Sequence, residues 1–183
     1  MSIYSVKDAL NLPLPEKRTT KDDVQPLIEA HHHACMAEEY DRAVEIIFEH
    51  NLHEDLDRWG NCRTLVELYA GVLPKDLRDE PLLGSLKTHG DVLGNLGNTY
   101  SVLGKIERAI EYYEYALVIA REIGDRRGEG ADLGNLGNAY RNLGQVERAI
   151  EYYKDALTIG REIKDPGIID FCEKSLESLK NPQ

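Results

Sequence analysis

The sequence predicts an all-α protein built from antiparallel helix hairpins stacked side by side. Three observations predict it. A block of about 40 residues occurs twice in succession without a gap. Each copy holds two stretches whose apolar residues recur at helical spacing. Glycines stand where those helices would end.

The first copy, residues 91–125, reads DVLGNLGNTYSVLGKIERAIEYYEYALVIAREIGD, and the second, residues 131–165, reads ADLGNLGNAYRNLGQVERAIEYYKDALTIGREIKD. More than half of the aligned positions are identical. In the first stretch Leu93, Leu96, Tyr100 and Leu103 fall on one helical face. In the second, Ile106, Ala109, Ile110, Tyr113, Leu117 and Ala120 do so. Gly104 and Gly144 separate the two helices of each copy, and Gly124 closes the first copy. Neither helix can bury its apolar stripe alone, so neighbouring hairpins must stack.

Leu96, Gly97, Tyr100, Ala109, Tyr113 and Ala116 resemble the tetratricopeptide-repeat (TPR) signature, and so do Leu136, Gly137, Tyr140, Ala149, Tyr153 and Ala156. The period exceeds the usual 34 residues because the second helix is longer. The LGNLGN and AIEYY wording is similar to the 40-residue subtype found in LGN/Pins-type spindle adaptors and many microbial regulators. The resemblance implies a TPR α-solenoid, a right-handed superhelix of stacked antiparallel hairpins. Small residues are expected where paired helices approach closely, and the tyrosines between hairpins.

Upstream, AEEYDRAVEII (37–47) echoes the passage from LGKIERAI into the second helix, with Ala43 at the small-residue position and His31 where the later copies have glycine. Thr20 and Asp23 suit a helix N-cap, and 21–50 reads as a degenerate repeat. Residues 54–72 read as one further amphipathic helix, with Leu56, Trp59, Cys62, Val66 and Tyr69 on one face, ended by Pro74. Downstream, Asp165-Pro166 opens a helix carrying Ile169, Cys172, Leu176 and Leu179 on one stripe, half a repeat acting as a cap. The expected organisation is a leader over 1–19, degenerate helical repeats over 20–86, TPRs over 87–125 and 126–165, and a capping helix over 166–183, in one continuous solenoid. The stretch VQPLIEAHHHACMAEEYDRAVEII…LDRWGNCRTLVELY also resembles the junction between nucleotide-binding module and TPR array in NB-ARC-type signal-transduction ATPases. That resemblance implies a sensor portion of a larger signalling ATPase, as an alternative to a free-standing scaffold.

The net charge of −11 and pI near 5.0 repel phosphate backbones and anionic lipid, so no nucleic-acid or membrane partner is expected. Cys35, Cys62 and Cys172 are far apart and odd in number, the N-terminus lacks an apolar signal region, and no apolar run approaches a membrane span. A cytoplasmic location follows as the expectation. No phosphate loop, GxSxG elbow or HExxH occurs, and Gly128, Gly130 and Gly134 have the wrong spacing for a dinucleotide fingerprint. The expectation is a non-enzyme with no cofactor. His31, His32 and His33 are consecutive and point about 100° apart on a helix, so they cannot share one ion. His31 with Cys35, or His50 with His53, supplies two metal ligands at most, and a packing role is the commoner one for a histidine on an apolar face.

In the TPR fold the first helices of the hairpins line the concave surface. The resemblance therefore places Asp91, Gly94, Asn95, Asn98, Ser101 and Val102 along a groove, followed by Ala131, Gly134, Asn135, Asn138, Arg141 and Asn142. Gly97 and Gly137 suit a close helix crossing, whereas Gly94 and Gly134 would let a ligand backbone approach. Asparagine offers both a donor and an acceptor, so Asn95, Asn98, Asn135 and Asn138 suit pairing with a peptide; the alternative is that they bond within the array. Carboxylate-clamp TPRs have lysine where this chain has Gly94 and Gly134, which disfavours a C-terminal carboxylate ligand. The expected function is protein–protein interaction through a peptide held in this groove, with homo-oligomerisation by end-to-end stacking as a further route.

Overall fold

A computed structural model describes residues 13–180, the side chain of Lys180 excepted; residues 1–12 of the expected leader and residues 181–183 of the expected cap lie outside the described residues. The described residues form helices and turns without strands. The chain divides into two compact units, one ending at Gly84 and one beginning at Ser85.

In the first unit α1 (Gln25–Met36) and α2 (Tyr40–Glu49) form a hairpin, followed by α3 (Leu52–Arg58) and α4 (Cys62–Gly71). Leu27, Ile47, Leu52, Leu56, Leu65, Leu68 and Tyr69 are fully buried. Ala43 and His31 are buried as well. The single helix expected over 54–72 is two helices. Gly60, at φ +68°, turns the chain between them, and its N–H and that of Asn61 bond back to Asp57 and Leu56. The break moves the apolar stripe: Leu65 and Leu68 enter the core, while Trp59 and Val66 stay half-buried.

The described part of the leader is packed rather than loose. Arg18, with no side-chain exposure, donates to the carbonyls of Pro13 and His50 and forms an ion pair with buried Asp55 at 3.0 Å. Pro15–Lys17 and Lys21–Val24 are short 3-10 turns. Asp23 caps the second by accepting from the N–H groups of Thr19 and Thr20, which holds its carboxyl below the ordinary value.

In the second unit α5 (Leu86–Val102) pairs with α6 (Ile106–Ile123), α7 (Arg126–Asn142) pairs with α8 (Val146–Ile163), and α9 (Pro166–Lys180) packs on α8. Side chains cap the starts of α5, α7 and α9. Ser85 accepts from Thr88 N–H at the start of α5, and Asp125 from Gly128 N–H at the start of α7. Asp165 accepts from Gly167 and Ile168 N–H at the start of α9. Gly104 and Gly144 take φ +71° and +73° in the hairpin turns, a conformation that a Cβ disfavours. Lys164 occupies the same left-handed region at φ +55° after α8, where the preceding copy has Gly124.

The tightest contact closing each hairpin is a glycine against a tyrosine. A Cβ on Gly97 would lie 2.6 Å from the Tyr113 ring, and one on Gly137 2.6 Å from Tyr153. These tyrosines therefore pack first against the opening helix of their own hairpin. A second aromatic pair, Tyr100 with Tyr112 and Tyr140 with Tyr152, stacks within each hairpin at 5.3 and 5.2 Å. Between hairpins the core runs continuously through Tyr113, Leu117, Leu133, Leu136, Tyr153, Ile159 and Cys172.

Candidate functional site

The opening helices α5, α7 and α9 carry the residues expected to face a ligand. Asp91, Asn98 and Val102 on α5 are exposed; Gly94, Asn95 and Ser101 are half-buried. On α7 Ala131, Arg141 and Asn142 are exposed, Asn135 and Asn138 half-buried, and Gly134 buried.

The four asparagines separate into two pairs. Asn98 Oδ1 accepts from the Tyr113 hydroxyl at 2.8 Å, and Asn138 Oδ1 from the Tyr153 hydroxyl at 2.7 Å. Burial pushes the Tyr113 phenol up to about 12, so it stays protonated and donates; Ser101 lies within hydrogen-bonding reach of the same phenol. These two amides brace their hairpins and keep only their N–H groups for other use. Asn95 and Asn135 have no side-chain partner among the described residues, so both donor and acceptor remain open. A signal for the bracing pair was present: Asn and Tyr recur at the same offset of fifteen residues in both copies.

The two glycines on this face also differ. Next to Gly134 stands Phe171 of α9, whose ring would lie 3.0 Å from an added Cβ. The space there admits a neighbouring helix rather than a ligand backbone. Phe171 is 38% exposed and, with Ile168 and Gly167 of α9 and Gly130, Ala131, Gly134 and Asn135 of α7, it lines a pocket of about 230 Å³. Beside Gly94 the nearest atom is Oδ1 of Asp132, 3.5 Å from where a Cβ would lie.

Asp132 is absent from the sequence-based expectation. Aligning the copies could have found it, because its slot holds Val92 in the preceding copy and Cys172 in the following helix, each fully buried. Asp132 is 8% exposed and has no hydrogen bond or ion pair among the described residues. Burial first, then the Asp91 and Asp125 charges, push its carboxyl up to about 7, against the opposing pull of Lys87. Lys87 itself is engaged elsewhere, 2.7 Å from Asp125 and 3.4 Å from Asp91.

Other candidates do not assemble. His31 Nδ1 and Nε2 each lie 3.8 Å from Cys35 Sγ; burial lowers the imidazole to about 4 and raises the thiol, so neither is charged at neutral pH. His53 Nδ1 is 2.7 Å from the Tyr69 hydroxyl. Among the described residues no three His, Cys, Asp or Glu side chains gather so as to hold a metal ion. None of the described helices is long and apolar enough to cross a membrane.

Paired helices that cross on a glycine, repeated at a fixed period and stacked on one continuous core, define a helical-repeat protein. A family model described as tetratricopeptide repeat matches residues 89–162, so this segment consists of tetratricopeptide repeats. Among curated proteins it is similar to human G-protein-signaling modulator 1, with 40% identity over 76 residues, 42% of this chain and 10% of the relative. The chain thus spans about a tenth of that relative's length.

Proposed function

We propose that the second unit is a non-catalytic module that holds a segment of another protein on the face formed by α5, α7 and α9. One observation carries the reading: the half-buried, unpartnered amide of Asn135 sits at the edge of the 230 Å³ pocket walled by Ile168 and Phe171. An apolar side chain fills such a pocket while the amide pairs with the peptide backbone beside it, a combination of burial and orientation typical of ligand sites. Asn95 repeats the amide one hairpin earlier, at a step of 40 residues. The similarity to a protein named as a modulator of G-protein signalling supports a role exercised on other proteins. The acidic chain repels phosphate backbones, which supports a polypeptide rather than a nucleic acid as ligand.

A photo-crosslinking residue tests this reading. Placed at Ala131, an exposed residue lining the same pocket, it should capture peptides selected from a displayed library against the whole chain, whereas the same group at exposed Glu111 on α6 should not. Equal capture at both positions, or capture at Glu111 alone, refutes the face.

A further inference from the structure

Four places outside the bracing contacts stand out. The Arg18–Asp55 pair in the first unit is buried, and exposed Arg58 already reaches Asp55 at 3.7 Å. His89 Nδ1 is buried without a partner, but burial favours the neutral imidazole, which holds no charge to answer. Glu114, Glu151 and Asp155, around Arg148, Tyr140 and Tyr152, are exposed, so water solvates their charges and none needs a counter-ion. Asp132 differs from these. It is more than nine-tenths buried and unpartnered, and its Oδ1 faces Gly94 of α5, 3.5 Å from where a Cβ would lie, so the groove between α5 and α7 is open beside it.

We propose that the peptide held on this face is basic: a lysine or arginine head group enters the cleft between α5 and α7 with Asp132 as its counter-ion, and an apolar side chain about three residues away fills the pocket against Ile168 and Phe171. The inference rests on the reading of the α5–α7–α9 face given above.

The local charge specifies the occupant. The charged groups acting on Asp132 are Asp91 and Lys87 of α5 and Asp125 from the turn between α6 and α7; from α6 the Tyr113 phenol also feels the Asp132 charge, which helps keep it protonated. Three carboxylates face one ammonium, and that ammonium already bonds to Asp91 and Asp125. A cation is therefore wanted at Asp132 and an anion is repelled. The protein gains nothing internally from the carboxylate, since the same slot is filled by Val92 and Cys172 in the neighbouring units. Gly94 provides the room: a side chain at that position would grow toward the Asp132 oxygen.

The separation follows from the helix. The cleft and the pocket flank α7 on opposite sides, one toward α5 and one toward α9. A helix with its side chains is about 10 Å across, and an extended peptide advances about 3.3 Å per residue, so about three residues bridge the two. Asn135 lies on α7 between them, at the edge of the pocket.

Binding on this scheme releases a proton. A carboxyl that titrates near 7 in the unbound protein must ionise to receive a cation, so affinity rises with pH until the group is fully ionised. About nine-tenths is ionised at pH 8 and about one-tenth at pH 6, which makes binding about tenfold tighter at pH 8.

The test uses a displayed library of random twelve-residue peptides that lack His, Asp, Glu and Cys, and winners are synthesised with acetylated N-termini, so that no peptide group titrates between pH 6 and 8. The library is panned at pH 8 against the whole chain and against Asp132→Asn, each carrying the photo-crosslinking residue at position 131. The expected result is enrichment of Lys or Arg about three residues from Leu, Ile, Met or Phe by the wild type alone. A winning peptide, synthesised and titrated, should bind the wild type about tenfold more tightly at pH 8 than at pH 6. It should bind Asp132→Asn at least tenfold more weakly at pH 8, with no such pH slope. Winners that crosslink at position 131 yet carry no basic residue, or bind both proteins alike, overturn the cationic subsite and leave the peptide face standing. Failure to obtain winners that crosslink there overturns the face itself, and the subsite with it.

Discussion

Replacing Asp132 with asparagine should stabilise the second unit, and the gain should grow with pH. Asp132 is 8% exposed, and its carboxyl lacks a partner and is pushed up to about 7 from its ordinary 3.8. Its folded value is raised, so the unfolded chain loses the proton first. Below 3.8 both states are protonated and the group costs nothing. Between 3.8 and 7 stability falls steadily as pH rises, and above 7 the loss is complete. At 1.36 kcal/mol per pH unit the full loss is about 4 kcal/mol. An amide of the same shape has no charge to desolvate, so Asp132→Asn should gain up to about that amount at pH 8. Urea unfolding of both proteins at pH 5 and pH 8 reads the effect. The wild type should lose about 2.5 kcal/mol relative to the variant between those two values. His31 and His89, both lowered by burial, change the stability of the two proteins equally and cancel in the difference. Equal pH dependence in the two proteins, or a variant less stable at pH 8, would show that the carboxylate is satisfied and refute the reasoning.

Three further outcomes follow from the packing. Gly137→Ala places a Cβ 2.6 Å from the fully buried Tyr153 ring and should cost about 1–3 kcal/mol despite its better helix propensity, whereas Gly134→Ala meets the half-exposed Phe171 and should cost less than 1 kcal/mol; thermal unfolding compares them. Lys164→Gly should raise stability by about 1 kcal/mol by relieving the left-handed backbone at φ +55°, and an unchanged melting temperature would refute that. Arg18→Met leaves the buried Asp55 carboxylate without its 3.0 Å partner and should destabilise the first unit by about 3–5 kcal/mol; the double variant Arg18→Met/Asp55→Leu should recover most of the loss in denaturant titration.

The hairpins were legible because the same pattern is written twice. Leu96, Gly97, Tyr113 and Ala116 fall where pairing requires them, and their equivalents forty residues on repeat the constraint. Where the pattern is written once, it misled. The stripe from Leu56 to Tyr69 fits a single helix as well as two, and the turn at Gly60 is decided by which partners wait for Leu65 and Leu68. On the candidate face, residue type indicated that Asn98 and Asn138 can bond but not to what. Their acceptors are taken by tyrosines from the return helix, a contact that exists only after the hairpin closes. Asp132 was hidden for the opposite reason. On a charged amphipathic helix it reads as one more surface carboxylate, and only the packing of α7 against α5 turns it inward.

The position of that carboxylate also sets where the array comes apart. Stacked repeats cohere through nearest neighbours alone, so an array under strain opens at its weakest seam. Between α7 and α9 the seam is filled by Ile168, Phe171 and Gly134 in direct contact. Between the first two hairpins Tyr113, Leu117 and Leu133 join α6 to α7, but the α5–α7 side of the seam holds glycine opposite an unneutralised charge. Pulled from its ends above neutral pH, the second unit should shed the α5–α6 hairpin as a separate step and leave α7–α9 intact. Mild acid, which neutralises Asp132, should weld the two steps into one.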